Sequence, residues 1–383
     1  MPDLPSPDEN RALGQAILTI DLGALAENWR RLAGRAKGAE CAAVVKADGY
    51  GLGIGPVARA LLAAGCKTFF VAHVSEGVIL RKLAPEAQIF VLNGLPPRSA
   101  KIFARAGLAP VLGSSPEIAE WADFCRRDGA PHPAAIHIDT GLNRLGLDPR
   151  DLARAREAMA SFTPVLAMSH FVSAEDQSAP RNHLQIQRFF EACGQLPPMP
   201  ASLCNSSGIF LEERPFLDLV RPGYALYGGN PTPGSENPMR RVVGLTATVL
   251  QVRDIPAGET AGYNGRWTAP SRRKLATINL GYADGFPRSG SIGEIGADVY
   301  AGGNYCPVVG RISMDLSIID ISEAGPLARG DRVEILGPHI GVDDLAAEAG
   351  TIGYEILTGL GKRYAREYRG EAAAAAAAIV GKA

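Results

Sequence analysis

With 383 residues, 46% of them hydrophobic and 21% charged, the chain has the size for two well-filled domains and the balance of an ordinary globular protein. A formal net charge of −1 with no basic block gives nucleic acid or an anionic membrane surface nothing to bind, and no apolar run is long enough to span a bilayer. Six scattered cysteines without a C-x-x-C pair read as reduced, mostly buried thiols of a cytoplasmic protein, so neither a disulfide framework nor a metal site is expected.

Residues 1–16 form a polar tail that lacks the basic and apolar regions of a signal peptide. Residues 17–21 read as a short strand, and 22–32 show helical periodicity with Leu25, Trp29 and Leu32 on one side. Ala42-Ala43-Val44-Val45 is an unbroken apolar run, the mark of a strand buried on both faces, and it ends in Lys46 and a glycine-punctuated turn. A helix is expected from Pro56, closed by Gly65. Strand-like runs then recur at 68–72, 88–92, 109–112, 134–138, 165–169, 201–205 and 218–222, with helical stretches at 75–83, 116–126, 149–160 and 183–193. The number of alternations, about eight, and their span predict an α/β fold of the (β/α)8 TIM-barrel type over 17–240, although the first strand is free to join the next domain. A doubly wound sheet is the alternative, but no glycine fingerprint supports it.

From 241 onward the runs at 242–252, 274–280, 298–299, 306–309, 316–321 and 332–336 are short, often alternating, and separated by Gly, Pro and Asp. They predict a mainly antiparallel β domain over 241–383, with one amphipathic helix over 342–360 and an alanine-rich tail over 371–378.

Barrels place their chemistry just after the strands. Lys46 occupies such a position, where partial desolvation lowers an amine's pKa and equips it to form a Schiff base. Arg144, in a glycine-flanked loop, can clamp a carboxylate bidentately. Asn205-Ser206-Ser207-Gly208 offers hydroxyls and N–H groups to a phosphate, while Gly223, next to Arg221-Pro222, lets the backbone approach a ligand. Each residue also has a plain structural reading: His170 as a bonded core histidine, Arg144 as a solvated charge, Ser206 as a cap. Together, an amine, an anion cradle and two strand-end arginines point to pyridoxal 5'-phosphate.

Val45-Lys46-Ala47-Asp48-Gly49-Tyr50-Gly51-Leu52-Gly53 resembles the cofactor signature of alanine racemases. So do the stretches 137–146, 168–171, 205–206, 221–228, 281–285, 310–315 and 353–355, collinear across 17–366. The resemblance implies a cytoplasmic homodimer in which each β domain completes its partner's site. It implies that Lys46 carries the cofactor and is one base, while Tyr263, supplied from the other chain, is the second. His170 and Arg221 would be a hydrogen-bonded pair behind Tyr263, with Arg221 also facing the pyridine nitrogen. Tyr50, Ser206, Gly223, Tyr224 and Tyr354 would hold the phosphate. Arg144 and the Met314 backbone would bind the substrate carboxylate, and Tyr282 would narrow the approach. The activity implied is two-base racemisation of alanine, supplying D-alanine for peptidoglycan, with no nucleic-acid or membrane partner.

Alternatives on the same residues are a racemase of serine or a wider set of small amino acids, a decarboxylase of this fold, and a cofactor carrier. Two positions depart from the family pattern: His137 stands where many members have a carbamylated lysine that orients the arginine, and Gly49 replaces a common alanine. An imidazole is no fixed anion, so Arg144 must be oriented otherwise, through Asp139 or a bound anion.

Overall fold

The computed structural model describes residues 16–291 and 296–370, so the tail over 1–15 and the alanine run over 371–378 lie outside the described residues. The described residues divide into two compact units, one of residues 25–240 and one of residues 16–24 with 241–291 and 296–370.

In the first unit every strand is parallel to its neighbour. Strands β2 (Glu40–Cys41) and β3 (Ala43–Val44) are followed in order by β4 (Thr68–Val71), β5 (Gln88–Val91), β6 (Ala109–Leu112), β7 (Pro133–His137), β8 (Thr163–Met168), β9 (Ala201–Ser202) and β10 (Leu219–Val220). The ring closes through β10: it pairs with β2, while the Asp218 and Arg221 N–H groups donate to the Ala201 and Cys204 carbonyls. All four residues of β4 and of β6 are buried, the pattern of strands covered on both faces. Phe70 and Phe90 stack at 4.8 Å inside the core. Helices α1 (Leu22–Arg35), α2 (Ile54–Ala64), α3 (Val74–Leu83), α4 (Ala100–Ala106), α5 (Ser115–Asp128), α6 (Leu152–Met159) and α7 (Pro180–Cys193) cover the strands. α4 was not expected from the sequence: it is two turns long and buries only Ala100 and Phe103, too short a pattern to show a period. After β9 and β10 single 3-10 turns replace the helices.

The second unit is a mainly antiparallel sheet. Strand β1 (Ile17–Asp21) lies between β11 (Val243–Ile255), antiparallel, and β19 (Ala365–Arg369), parallel, so the first strand belongs to this sheet and not to the barrel. Register shifts at 245/246 and 249/251 bend β11, whose first half pairs with β1 and β18 (Arg332–Leu336) and whose second half pairs with β14 (Arg273–Ile278). β12 (Thr260–Ala261) and β13 (Trp267–Thr268) form a small hairpin, β15 (Asp298–Ala301) and β16 (Asn304–Pro307) another, and β17 (Ser317–Asp320) pairs with β14. The single helix expected over 342–360 is two, α8 (Val342–Glu348) and α9 (Gly353–Gly359). Gly350, at φ +66°, takes the left-handed conformation that ends the first. No helix among the described residues is long and apolar enough to cross a membrane.

Candidate active site

Lys46 follows β3 and is half-buried. Burial pushes its amine below the ordinary lysine pKa, the charge of Arg144 pushes the same way, and Glu76 opposes both. The next residues form a left-handed helical turn: Ala47 (φ 54°, ψ 49°), Asp48 (φ 55°, ψ 46°) and Gly49 (φ 64°, ψ 46°), with Tyr50 also at φ 55°. For a non-glycine residue this conformation costs about 1–2 kcal/mol. Local bonds offset it. Asp48 accepts the Ile54 N–H at 2.8 Å and starts α2, the Gly51 N–H donates to the Ala47 carbonyl at 2.8 Å, and one oxygen of Glu76 takes the Ala47 N–H at 2.6 Å.

That turn delivers Tyr50 inward. Its ring stacks on Tyr227 at 4.4 Å, and the Tyr227 hydroxyl donates to the Val44 carbonyl. The Tyr50 hydroxyl lies against Gly223, where a Cβ would stand 2.3 Å from it, so only glycine fits. The Ser206 hydroxyl accepts the Gly223 and Ala225 N–H groups at 3.1 and 3.2 Å, joining the ends of β9 and β10. Tyr50, Ser206, Gly223 and Tyr224 are therefore brought together, and all are buried.

Arg221 is 4% exposed and no carboxylate pairs with it among the described residues. Its guanidinium donates to the Ser202 hydroxyl and, at 2.5 Å, to the Ser169 carbonyl. The hydrogen bond to His170 implied by the resemblance is absent among the described residues; the guanidinium is turned instead toward these two acceptors on neighbouring strand ends. Burial lowers the Arg221 pKa to about 10, which leaves it a cation at neutral pH. His170 feels it nonetheless: desolvation first, then Arg221, Arg144, His137 and Lys46, hold its imidazole at a pKa of about 3. His137, 8% exposed on β7, is lowered to about 4 by burial and by Arg221 and Arg144, with Asp139 opposing. Both imidazoles are neutral at physiological pH.

Arg144 is exposed, and its side chain makes no hydrogen bond or ion pair among the described residues. Asp139 does not orient it. One Asp139 oxygen accepts the Gly141, Leu142 and Asn143 N–H groups at 2.9, 2.9 and 3.1 Å, so the carboxylate holds the loop backbone instead. A buried polar chain that sequence reasoning missed supports this loop and the His170 loop together. The Gln185 amide donates to the Thr140 hydroxyl and the His170 carbonyl, both at 2.9 Å, and Thr140 bonds Ser169 at 2.7 Å.

None of Lys46, Arg144 and Arg221 forms an ion pair with a carboxylate among the described residues, and the carboxylates nearby, Asp139 and Glu76, bond backbone N–H groups instead. A ligand carrying a phosphate and a carboxylate can give these cations direct anionic partners. No group of three or more His, Cys, Asp or Glu that could hold a metal occurs among the described residues.

The remaining expected residues lie in the second unit. Tyr263 sits at the tip of the β12–β13 hairpin, 68% exposed. Tyr282 and Met314 are on touching loops: the Tyr282 N–H donates to the Ser313 carbonyl, and the Ala283 N–H to the Met314 carbonyl. Arg363, also missed in the sequence, binds Asp284 and Asp315 at 2.7 Å each and fastens the two loops to each other. Tyr354, half-buried, opens α9.

Family models of the alanine racemase N-terminal and C-terminal domains match residues 20–231 and 242–368. An alanine racemase of Methylobacterium nodulans is 57% identical over 92% of this chain and 96% of its own length. Two racemases of Agrobacterium fabrum, described as catabolic and biosynthetic, are 45% and 43% identical, over 92% and 94% of this chain and 91% and 96% of their own. The crystal structure of alanine racemase from Bartonella henselae with covalently bound pyridoxal phosphate aligns with a TM-score of 0.89 at 40% identity, over 93% of this chain and 99% of that one. The chain belongs to the alanine racemase family.

Proposed function

We propose that this protein interconverts L- and D-alanine on pyridoxal 5'-phosphate. The observation that carries the reading is the end of β3, where Val44 lies against a cradle of Tyr50, Ser206, Gly223 and Tyr224 and a half-buried amine of lowered pKa, Lys46, follows two residues on. When bound, the cofactor supplies an aldehyde for an amine and a ring that withdraws the electron pair left as the Cα–H bond breaks.

The chain supplies the rest. Lys46 would hold the cofactor and move the proton on one face of the α-carbon. Tyr263, from the second chain of a homodimer, would do so on the other face, since inversion needs opposed bases. A neutral phenol is a weak base, so Tyr263 needs a relay, and the neutral His170, near Arg221, suits it. Arg221, a donor that keeps its proton, would face the ring nitrogen and leave it unprotonated, which restrains transamination. Tyr354 would add to the phosphate contacts. Arg144 and the Met314 N–H would take the substrate carboxylate while Tyr282 narrows the approach. The protein would act in the cytoplasm and supply D-alanine for peptidoglycan, in line with its biosynthetic relative. The serine or broad-range reading keeps one observation in its favour: His137 leaves Arg144 without a fixed anionic partner.

The direct test is optical. L-alanine incubated with protein and cofactor should lose its circular dichroism completely, and L-serine should do so far more slowly. Decay of serine at an equal rate would establish the broader reading, and carbon dioxide release without racemisation would refute both. Mixing inactive Lys46→Ala and Tyr263→Phe chains should restore part of the activity. No recovery despite subunit exchange would mean that each site is built within one chain.

A further inference from the structure

Glu76 stands on the first turn of α3 and divides its carboxylate between two loops. One oxygen accepts the Ala72 and His73 N–H groups at 2.8 and 3.0 Å, the bonds expected of an acidic residue near a helix start. The other leaves the helix and accepts the Ala47 N–H at 2.6 Å and the Asp48 N–H at 3.4 Å. These are the first two residues of the left-handed turn after Lys46, and neither is glycine. Ala47 is exposed, so side-chain packing contributes little to fixing its conformation; the Gly51 N–H holds its carbonyl, and the Glu76 bond is the one contact from outside the turn that holds its N–H.

We propose that Glu76 is the positioning residue of the Lys46 amine: its second oxygen pins the left-handed turn and thereby fixes where the lysine leaves β3. This rests on Lys46 being the cofactor-bearing amine. The charged groups acting on that amine are Arg144 on the loop after β7 and Glu76 itself.

Glutamine separates the two duties. At the third position of a helix it still caps through its amide oxygen, but its NH2 would confront the Ala47 N–H donor. Glu76→Gln should therefore melt within a few degrees of the wild type yet lose about ten- to a hundredfold in kcat. Adding Ala47→Gly should return kcat to within about threefold, because glycine takes the left-handed turn without strain. A second readout does not depend on turnover. In the full-length chain without cofactor, trace acetylation read by peptide mass spectrometry gives the pH midpoint of Lys46 reactivity. That midpoint should fall in Glu76→Gln and stay low with Ala47→Gly, since the lost charge is not replaced. Recovery of kcat with a lowered midpoint supports the proposal. Unchanged kcat in Glu76→Gln, or a loss that Ala47→Gly leaves unrepaired, overturns it. If Lys46 labels normally in protein that does not racemise at all, the reading of the reaction fails and the geometric one stands.

Discussion

Replacing Gly223 by alanine tests the phosphate cradle at its tightest point. The φ there is negative (−126°), so no left-handed conformation is at stake and the new Cβ acts chiefly through the atoms it meets. The new Cβ would lie 2.3 Å from the Tyr50 hydroxyl oxygen, 3.1 Å from the ring carbon bearing it and 3.3 Å from the Val44 Cβ. Ordinary contact begins near ~3.4 Å, so the hydroxyl must retreat by about 1 Å. It has little room, because the ring is stacked on Tyr227 and its backbone ends the left-handed turn. Overpacking of this kind costs about 1–3 kcal/mol, or about five- to 150-fold in cofactor affinity if the strain is relieved only by displacing Tyr50. Equilibrium titration of the cofactor by absorbance measures it. Tyr50→Phe removes the clashing atom, so in a double-mutant cycle Gly223→Ala should cost much less on the phenylalanine background. Additive losses, to within about 0.5 kcal/mol, would show that the two residues do not touch and would refute the cradle as described.

Two further outcomes are expected. His137 and His170 have folded pKa values near 4 and 3, below an unfolded value of about 6.5, so below that pH the unfolded chain binds protons that the folded chain refuses. Stability of the cofactor-free protein should thus be full above pH ~6.5 and fall as pH drops, by up to about 1.4 kcal/mol per pH unit for each histidine; melts of wild type against His137→Gln at pH 7 and 5.5 check it, and an unaltered slope would contradict it. Wild-type activity should ignore dissolved carbon dioxide, whereas His137→Lys should respond to bicarbonate as a carbamate forms beside Arg144, gaining about ten- to a hundredfold; a wild type that fails on stripping carbon dioxide would overturn the role given to His137.

The barrel was legible because strands covered on both faces leave continuous apolar runs, as at 68–72 and 109–112, whatever their neighbours. What was not legible depends on contacts distant in sequence. β19 reads Ala-Arg-Glu-Tyr-Arg, an unpromising strand until β1 from the other end of the chain pairs with it. Lys46 announces itself through the apolar run before it, but Glu76 looks like an ordinary helix cap, and only the fold carries its second oxygen to Ala47. Asp139 was a natural candidate to orient Arg144 by proximity in sequence; the N–H groups of its own loop were nearer still. Arg221 shows the same effect, because its acceptors, Ser202 and the Ser169 carbonyl, lie in β9 and just after β8.

The claim on which the rest depends is that Lys46, among all lysines of the chain, is the amine that takes the cofactor. Protein loaded with pyridoxal 5'-phosphate and reduced with borohydride should carry one phosphopyridoxyl group, and peptide mapping should find it on Lys46. The same treatment of Lys46→Ala should leave the protein unlabelled. Label recovered chiefly on another lysine, such as Lys67 before β4 or Lys274 in the β domain, would contradict the account.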